Sequence, residues 1–232
     1  MKIQTIPDIH GKTKWKTLLD MSCDKFIFLG DYVDDYWPTT DQQIIDNLFD
    51  VIEFKKANPE KVELLLGNHD LQYMFSYSSY GCSGYRSSYH PVLHTIFNDN
   101  KDLFKIAYQQ DKYLWNHAGV SVNWYKQIFS KVKPFPDGNI ADQINSVFDS
   151  SHRDIVTMVG RTRGGWSPHG GPLWADKSET CGVHFTALTG YHQIVGHSKV
   201  DKLVTKYNTD KSTSITFCDC WDKTDEIYIL EI

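Results

Sequence analysis

Three apolar runs near the amino end stop on the same kind of residue. Phe26-Ile27-Phe28-Leu29 is followed by Gly30-Asp31-Tyr32-Val33-Asp34, Val62-Glu63-Leu64-Leu65-Leu66 by Gly67-Asn68-His69-Asp70, and the run over residues 2–7 by Asp8-Ile9-His10-Gly11. Short, nearly continuous apolar runs predict strands covered on both faces, as in a parallel sheet. Between the first and second runs, Trp15, Leu18 and Leu19 fall at helical spacing within residues 12–21. Between the second and third, Thr40 and Gln43 form a capping-box pair, and Ile44, Ile45, Leu48, Phe49, Ile52 and Phe54 keep helical spacing until Asn58-Pro59. Strand, helix, strand, helix, strand predicts two right-handed crossovers and a parallel sheet core. Ligands of such sheets sit at the carboxyl ends of the strands. Clusters of Asp, Asn and His at three of those ends therefore predict one shared site.

Periodicity weakens further along. Residues 76–90 read as a loop rich in Tyr and Ser, a candidate rim or lid beside the third cluster, and residues 93–97 and 103–108 as short helices. Tyr113-Leu114-Trp115 reads as a strand ending in Asn116-His117-Ala118-Gly119, and His192-Gln193-Ile194-Val195 as one ending in Gly196-His197-Ser198. Residues 133–138 form a turn-rich connector rather than a boundary, because matching chemistry lies on both sides. Residues 160–172 form a glycine-rich loop around Arg161 and Arg163, able to bring backbone amides and a guanidinium close to an anion. Alternation over residues 214–219 and 226–232 predicts antiparallel strands closing a second sheet. The expected architecture is a single α/β domain spanning 1–232, a four-layer α/β/β/α sandwich with a mixed β-sandwich core and helices outside.

The chain carries 24 Lys and Arg against 29 Asp and Glu, a formal charge of −5, so generic nucleic-acid binding is disfavoured. There is no apolar run of about 20 residues and no signal-peptide pattern, so a membrane role is not expected. Five cysteines without a CxxC pair fit reduced thiols and a cytoplasmic location. Cys218 and Cys220, two apart, are expected on one face of a strand.

The strand ends supply Asp8, His10, Asp31, Asn68, His117 and His197. Imidazole nitrogen with carboxylate and amide oxygen suits divalent manganese, iron or zinc, and six such ligands suit two metals sharing a bridging carboxylate. Two divalent ions outweigh the two carboxylates, leaving a site that attracts an anionic substrate, which points to phosphate esters.

The sequence also resembles the calcineurin-like metallophosphoesterases, within them the Ser/Thr phosphoprotein phosphatase branch. Its motifs GDxHG, GDxVDRG, GNHE, HGG and GH appear in order as Pro7-Asp8-Ile9-His10-Gly11, Gly30-Asp31-Tyr32-Val33-Asp34-Asp35, Gly67-Asn68-His69-Asp70, His117-Ala118-Gly119 and Gly196-His197-Ser198, with Gly171-Pro172-Leu173-Trp174-Ala175-Asp176 similar to a Leu-Trp-Ser-Asp segment. The resemblance implies that Asp8 and His10 hold one metal, that Asp31 bridges, and that Asn68, His117 and His197 hold the other. It makes His69 the general acid, oriented by Asp34, and Arg161 or Arg163 the phosphate clamp. It further implies in-line attack by a hydroxide bridging the two ions, manganese first among them, on a phosphorylated small molecule, nucleotide or phosphoprotein. Asp35 stands where that branch carries a phosphate-gripping Arg, a reversal expected to disfavour dianionic monoesters. Asp70, Ala118 and Pro7 are milder departures, and Ser198 after His197, in place of a second His, favours that branch over the general phosphodiesterases. The same metal chemistry serves dinucleoside polyphosphate hydrolases and nucleotide phosphodiesterases, for which aromatics in residues 76–90 offer a stacking surface. A non-catalytic scaffold of the same fold is the third reading, opposed by the intact ligands and acid.

Overall fold

The computed structural model describes residues 1–35, 39–75, 80–132 and 139–232. The connector expected at 133–138 and part of the loop expected at 76–90 lie outside them. The described chain is α/β, with helices and two mixed five-stranded sheets. It divides into two compact units, Met1–Lys105 with Asp225–Ile232, and Ile106–Thr224. No helix among the described residues is long and apolar enough to cross a membrane.

The first unit follows the expected order. β1 (Lys2–Ile6), β2 (Lys25–Phe28) and β3 (Val62–Leu65) pair in parallel, linked by α1 (Trp15–Leu18) and α2 (Asp41–Ala57). α2 begins on the predicted capping box, the Gln43 amide N–H donating to Thr40 Oγ1 at 3.2 Å and the Thr40 N–H to Gln43 Oε1 at 2.9 Å. Its apolar stripe brings Phe54 against Trp15, Phe26 and Phe28, with ring centroids 5.8, 5.7 and 6.3 Å apart. Trp15 Nε1 donates to buried Asn47 Oδ1 at 2.9 Å, tying α1 to α2. Then come α3 (Asn68–Met74), α4 (His90–Asp99) and β4 (Phe104–Lys105), the last parallel to β3.

The second unit holds β5 (Ala107–Gln110), β6 (Tyr113–Asn116), β7 (His192–Val195), β8 (Val204–Tyr207) and β9 (Ser214–Phe217), in the order β5-β6-β7-β9-β8. β6, β7 and β9 run parallel, and β5 and β8 pair antiparallel at the edges. Between β6 and β7 lie α5 (Val122–Gln127), α6 (Ile140–Phe148), α7 (Arg153–Val156) and α8 (Lys177–Cys181).

Three expectations are corrected. Residues 103–108, expected as a helix, supply β4 and the start of β5, because Phe104 pairs with Leu64 and Ala107 with Asn116; ladder bonds to neighbouring strands override a local pattern too short to decide. The last strand, β10 (Tyr228–Glu231), does not join the second sheet but pairs antiparallel with β1 and closes the edge of the first. β9 ends at Phe217, so Cys218 and Cys220 follow a strand rather than sharing its face.

Removing residues 225–232 would strip β1 of its antiparallel partner and expose apolar area now covered by half-buried Tyr228, Ile229 and Leu230. The loss expected is on the order of 3 kcal/mol or more, read as a lower urea midpoint for the shortened chain.

Candidate active site

In the first unit the site is made where β1, β2 and β3 stop. The loop after β1 is laid along the loop after β2 by main-chain bonds: the His10 N–H donates to the Asp31 carbonyl at 2.8 Å and the Gly11 N–H to that of Tyr32 at 2.8 Å. The loop after β2 is held to α3 by a buried carboxylate. Asp70 Oδ2 accepts the N–H of Asp31 at 2.9 Å and of Gly67 at 2.8 Å, while Oδ1 accepts that of Tyr32 at 2.9 Å. The two glycines there are sterically required. A Cβ on Gly30, at φ +98°, would fall 2.2 Å from Gly67 N, and one on Gly67 would fall 2.1 Å from Asp31 Oδ1.

This frame aims the predicted ligands. Asp8, His10 and Asp31 each bring one ligand atom within 4.8 Å of the others. His10 Nδ1 faces the Val33 carbonyl at 2.9 Å, and its Nε2 lies 3.7 Å from Asp31 Oδ2. A carbonyl on one ring nitrogen fixes the tautomer that leaves the other to a metal. Asp31 Oδ1 is held by the His69 N–H at 2.9 Å. Asn68, first residue of α3, is buried beside them. Oxygen and imidazole donors with one ring already oriented fit a hard or borderline divalent ion.

His69 stands edge-on to His10, ring centroids 5.1 Å apart, and its Nδ1 lies 3.0 Å from Oδ2 of fully buried Asp34. Burial alone would lower the pKa of His69, but the Asp31 charge and the Asp34 hydrogen bond outweigh it and hold the imidazole well above its ordinary value. The Cys82 thiol completes this group within 4.8 Å, kept protonated as burial pushes its pKa up. Asp35, expected as an anion near the pocket that disfavours dianionic monoesters, is buried; its carboxylate accepts the Thr39 hydroxyl and its carbonyl accepts the Arg86 guanidinium.

In the second unit His117 directly follows the parallel strand β6 and His197 stands two residues past β7, ring centroids 5.0 Å apart. The Gly196 N–H donates to the His117 carbonyl at 2.8 Å, locking the two strand ends together. The Trp174 ring lies edge-on to His197, centroids 5.9 Å apart. In the glycine loop, Arg163 is tied down, its Nε 2.8 Å from Asp176 Oδ2 and its Nη2 donating to Ser198 Oγ at 3.0 Å. Arg161 is exposed. Of the two predicted clamps, Arg163 thus braces the loop against the residue after His197, and Arg161 has the freer side chain.

Over residues 1–209 the sequence matches the calcineurin-like phosphoesterases. The chain belongs to that family. Among solved structures it is similar to the cold-active protein-tyrosine phosphatase of a psychrophilic Shewanella species, with 15% identity and a TM-score of 0.57 over 99% of this chain and 75% of that one. A further structure of a cold-active protein tyrosine phosphatase gives 14% identity and a TM-score of 0.60 over 99% and 73%. At such identities the likeness speaks for the fold alone. No curated protein matches the sequence. As a calcineurin-like phosphoesterase, the chain is a phosphoric ester hydrolase.

Asp70 matters more than its sequence reading as a mild substitution conveyed, and only its three-residue offset from Gly67, a capping-box spacing, could have signalled it. Asp70→Asn puts an amide N–H₂ against main-chain donors. Its expected cost is roughly 2–4 kcal/mol by urea denaturation, together with weaker metal retention after dialysis than in the parent chain.

Proposed function

We propose that this calcineurin-like phosphoesterase is a metal-dependent phosphatase acting on phosphomonoesters of the phosphoprotein type, with His69 as the acid that protonates the departing alkoxide. The observation that carries the reading is the imidazole of His69 held by a buried carboxylate beside the Asp8, His10 and Asp31 donor cluster. The phosphoprotein class is supported by the order of motifs shared with the Ser/Thr phosphatase branch.

We assign Asp8, His10, Asp31, Asn68, His117 and His197 to two divalent ions, manganese first, an assignment that rests on the family's motif order. When bound, such ions supply Lewis acidity toward phosphoryl oxygens and lower the pKa of water. The chain's own contribution is positional. Asp34 accepts from Nδ1–H of His69, so the proton available to a leaving oxygen sits on Nε2. The main-chain bond from His69 to Asp31 Oδ1 fixes the acid relative to the ligand set. Arg161, with its exposed side chain, serves as the phosphate clamp.

Among the described residues of the 76–90 stretch, two of the aromatics weighed for stacking a base are engaged with other side chains. Tyr85 stacks on Tyr73 with centroids 5.3 Å apart, and Tyr89 is buried with its hydroxyl on Asp34 at 3.1 Å.

Chelation should abolish hydrolysis of p-nitrophenyl phosphate and manganese should restore it, with metal analysis finding about two ions per chain. Phosphopeptides should outrun dinucleotides and the bis ester in the same assay; the reverse order would overturn the substrate class. His69→Asn should lose about 10²- to 10⁴-fold on alkyl phosphates and much less on p-nitrophenyl phosphate, whose leaving group needs little protonation.

A further inference from the structure

Asp34 holds the acid, and the chain surrounds it with donors that the phosphatase motifs do not include. Its Oδ1 accepts the hydroxyl of Tyr73 and, at 3.1 Å, that of Tyr89; its Oδ2 accepts the Gln72 side-chain amide and lies 3.0 Å from His69 Nδ1. A carboxylate has about four lone-pair positions. With four donors, Asp34 has no vacant direction in which to rotate, and its own backbone sits at φ +66°, a conformation maintained only when surroundings over-determine it.

Each donor is itself oriented. Tyr73 Oη accepts the Arg86 N–H at 2.9 Å, and its single hydrogen goes to Asp34. Gln72 Oε1 accepts the Cys82 N–H at 3.0 Å, which sets which end of the amide faces the carboxylate. The Tyr73 ring packs against Tyr85, Tyr89 and His90, with centroids 5.3, 5.3 and 5.7 Å apart. His69, Gln72 and Tyr73 stand at i, i+3 and i+4 on α3 and so share one face of the helix. Burial and the Asp34 charge both raise the pKa of Tyr73 and Tyr89, so both phenols remain protonated donors.

We infer that Gln72, Tyr73 and Tyr89 are positioning residues for the acid step, fixing Asp34 so that the His69 imidazolium gives its Nδ1–H to Asp34 and presents its Nε2–H to the leaving oxygen. Residues 80–89 then form the back wall of the acid rather than a lid. The inference rests on the proposed acid role of His69.

The test uses Tyr73→Phe and Tyr89→Phe, which remove only hydroxyls, singly and together. Hydrolysis of an alkyl phosphate should fall about tenfold in kcat for each, with p-nitrophenyl phosphate changed less than about twofold and KM little altered. In the metal-free chain, the His69 Nδ1–H proton resonance should move upfield and exchange faster with water. Equal losses on both esters, or an unmoved Nδ1–H resonance, would overturn the inference. If Tyr73→Phe does not fold, Tyr89→Phe decides alone. His69→Asn, run alongside, separates the two readings: if its losses do not depend on the leaving group, the acid role itself fails, whereas leaving-group-dependent losses there but not in the Tyr variants sink only the positioning role.

Discussion

The strand-end cluster of the first unit depends on one buried carboxylate. Asp70 gathers the main-chain N–H groups of Asp31, Tyr32 and Gly67, joining the loop after β2 to the start of α3. Hydrogen bonds to an ionised acceptor contribute about 1.5–3 kcal/mol each, and an orphaned buried donor costs about as much. That is enough to hold two loops in backbone conformations they would not adopt alone. The Asp31 side chain then stands beside His10 and His69 on a main chain that is already held.

Backbone strain gathers at the strand-end clusters. Six described residues other than glycine have positive φ, and four of them are His10, Asp31, Asp34 and His197. Each such residue costs on the order of 1–3 kcal/mol. The gain is geometric, since a left-handed step just past a strand turns the side chain out of the sheet direction and back across the strand end. Asp, Asn and His tolerate this region better than branched residues, so the residue types suited to metals and protons are also those the backbone accepts there.

The parallel half of the first sheet was legible in the sequence because β2 and β3 are buried on both faces and α2 begins on a capping box, signals that are local and strong. The strand-end clusters were legible for the same reason, each lying a fixed few residues past an apolar run. What stayed hidden depends on distant partners. β10 alternates like any edge strand, and nothing within residues 226–232 says that its partner is β1. β4 and β5 are too short to outweigh helical spacing. Tyr73 and Tyr89 read as packing aromatics, since a hydroxyl reveals its acceptor only after Asp34 has been brought to it from about forty residues or more away in sequence.

α3 shows why the acid can be placed so closely. A seven-residue helix is marginal by itself, so its position must come from bonds at its ends. At the amino end, the His69 N–H donates to Asp31 Oδ1, and Asp70 reaches back to Gly67. At the carboxyl end, α4 covers the carbonyls that a helix leaves unpaired: His94 Nδ1 lies 2.9 Å from the Tyr73 carbonyl, and Asn98 Nδ2 donates to that of Met74 at 3.3 Å. Between these anchors lie Asn68, the proposed acid His69, and Gln72 and Tyr73, which both donate to Asp34, all within two turns. Placing them on one braced helix removes loop freedom between metal and proton, and a misplacement of about an ångström there can cost about a hundredfold in rate. With His69 as the proposed acid, the bracing by α4 and residues 80–89 would belong to the catalytic apparatus, although no motif residue lies in either.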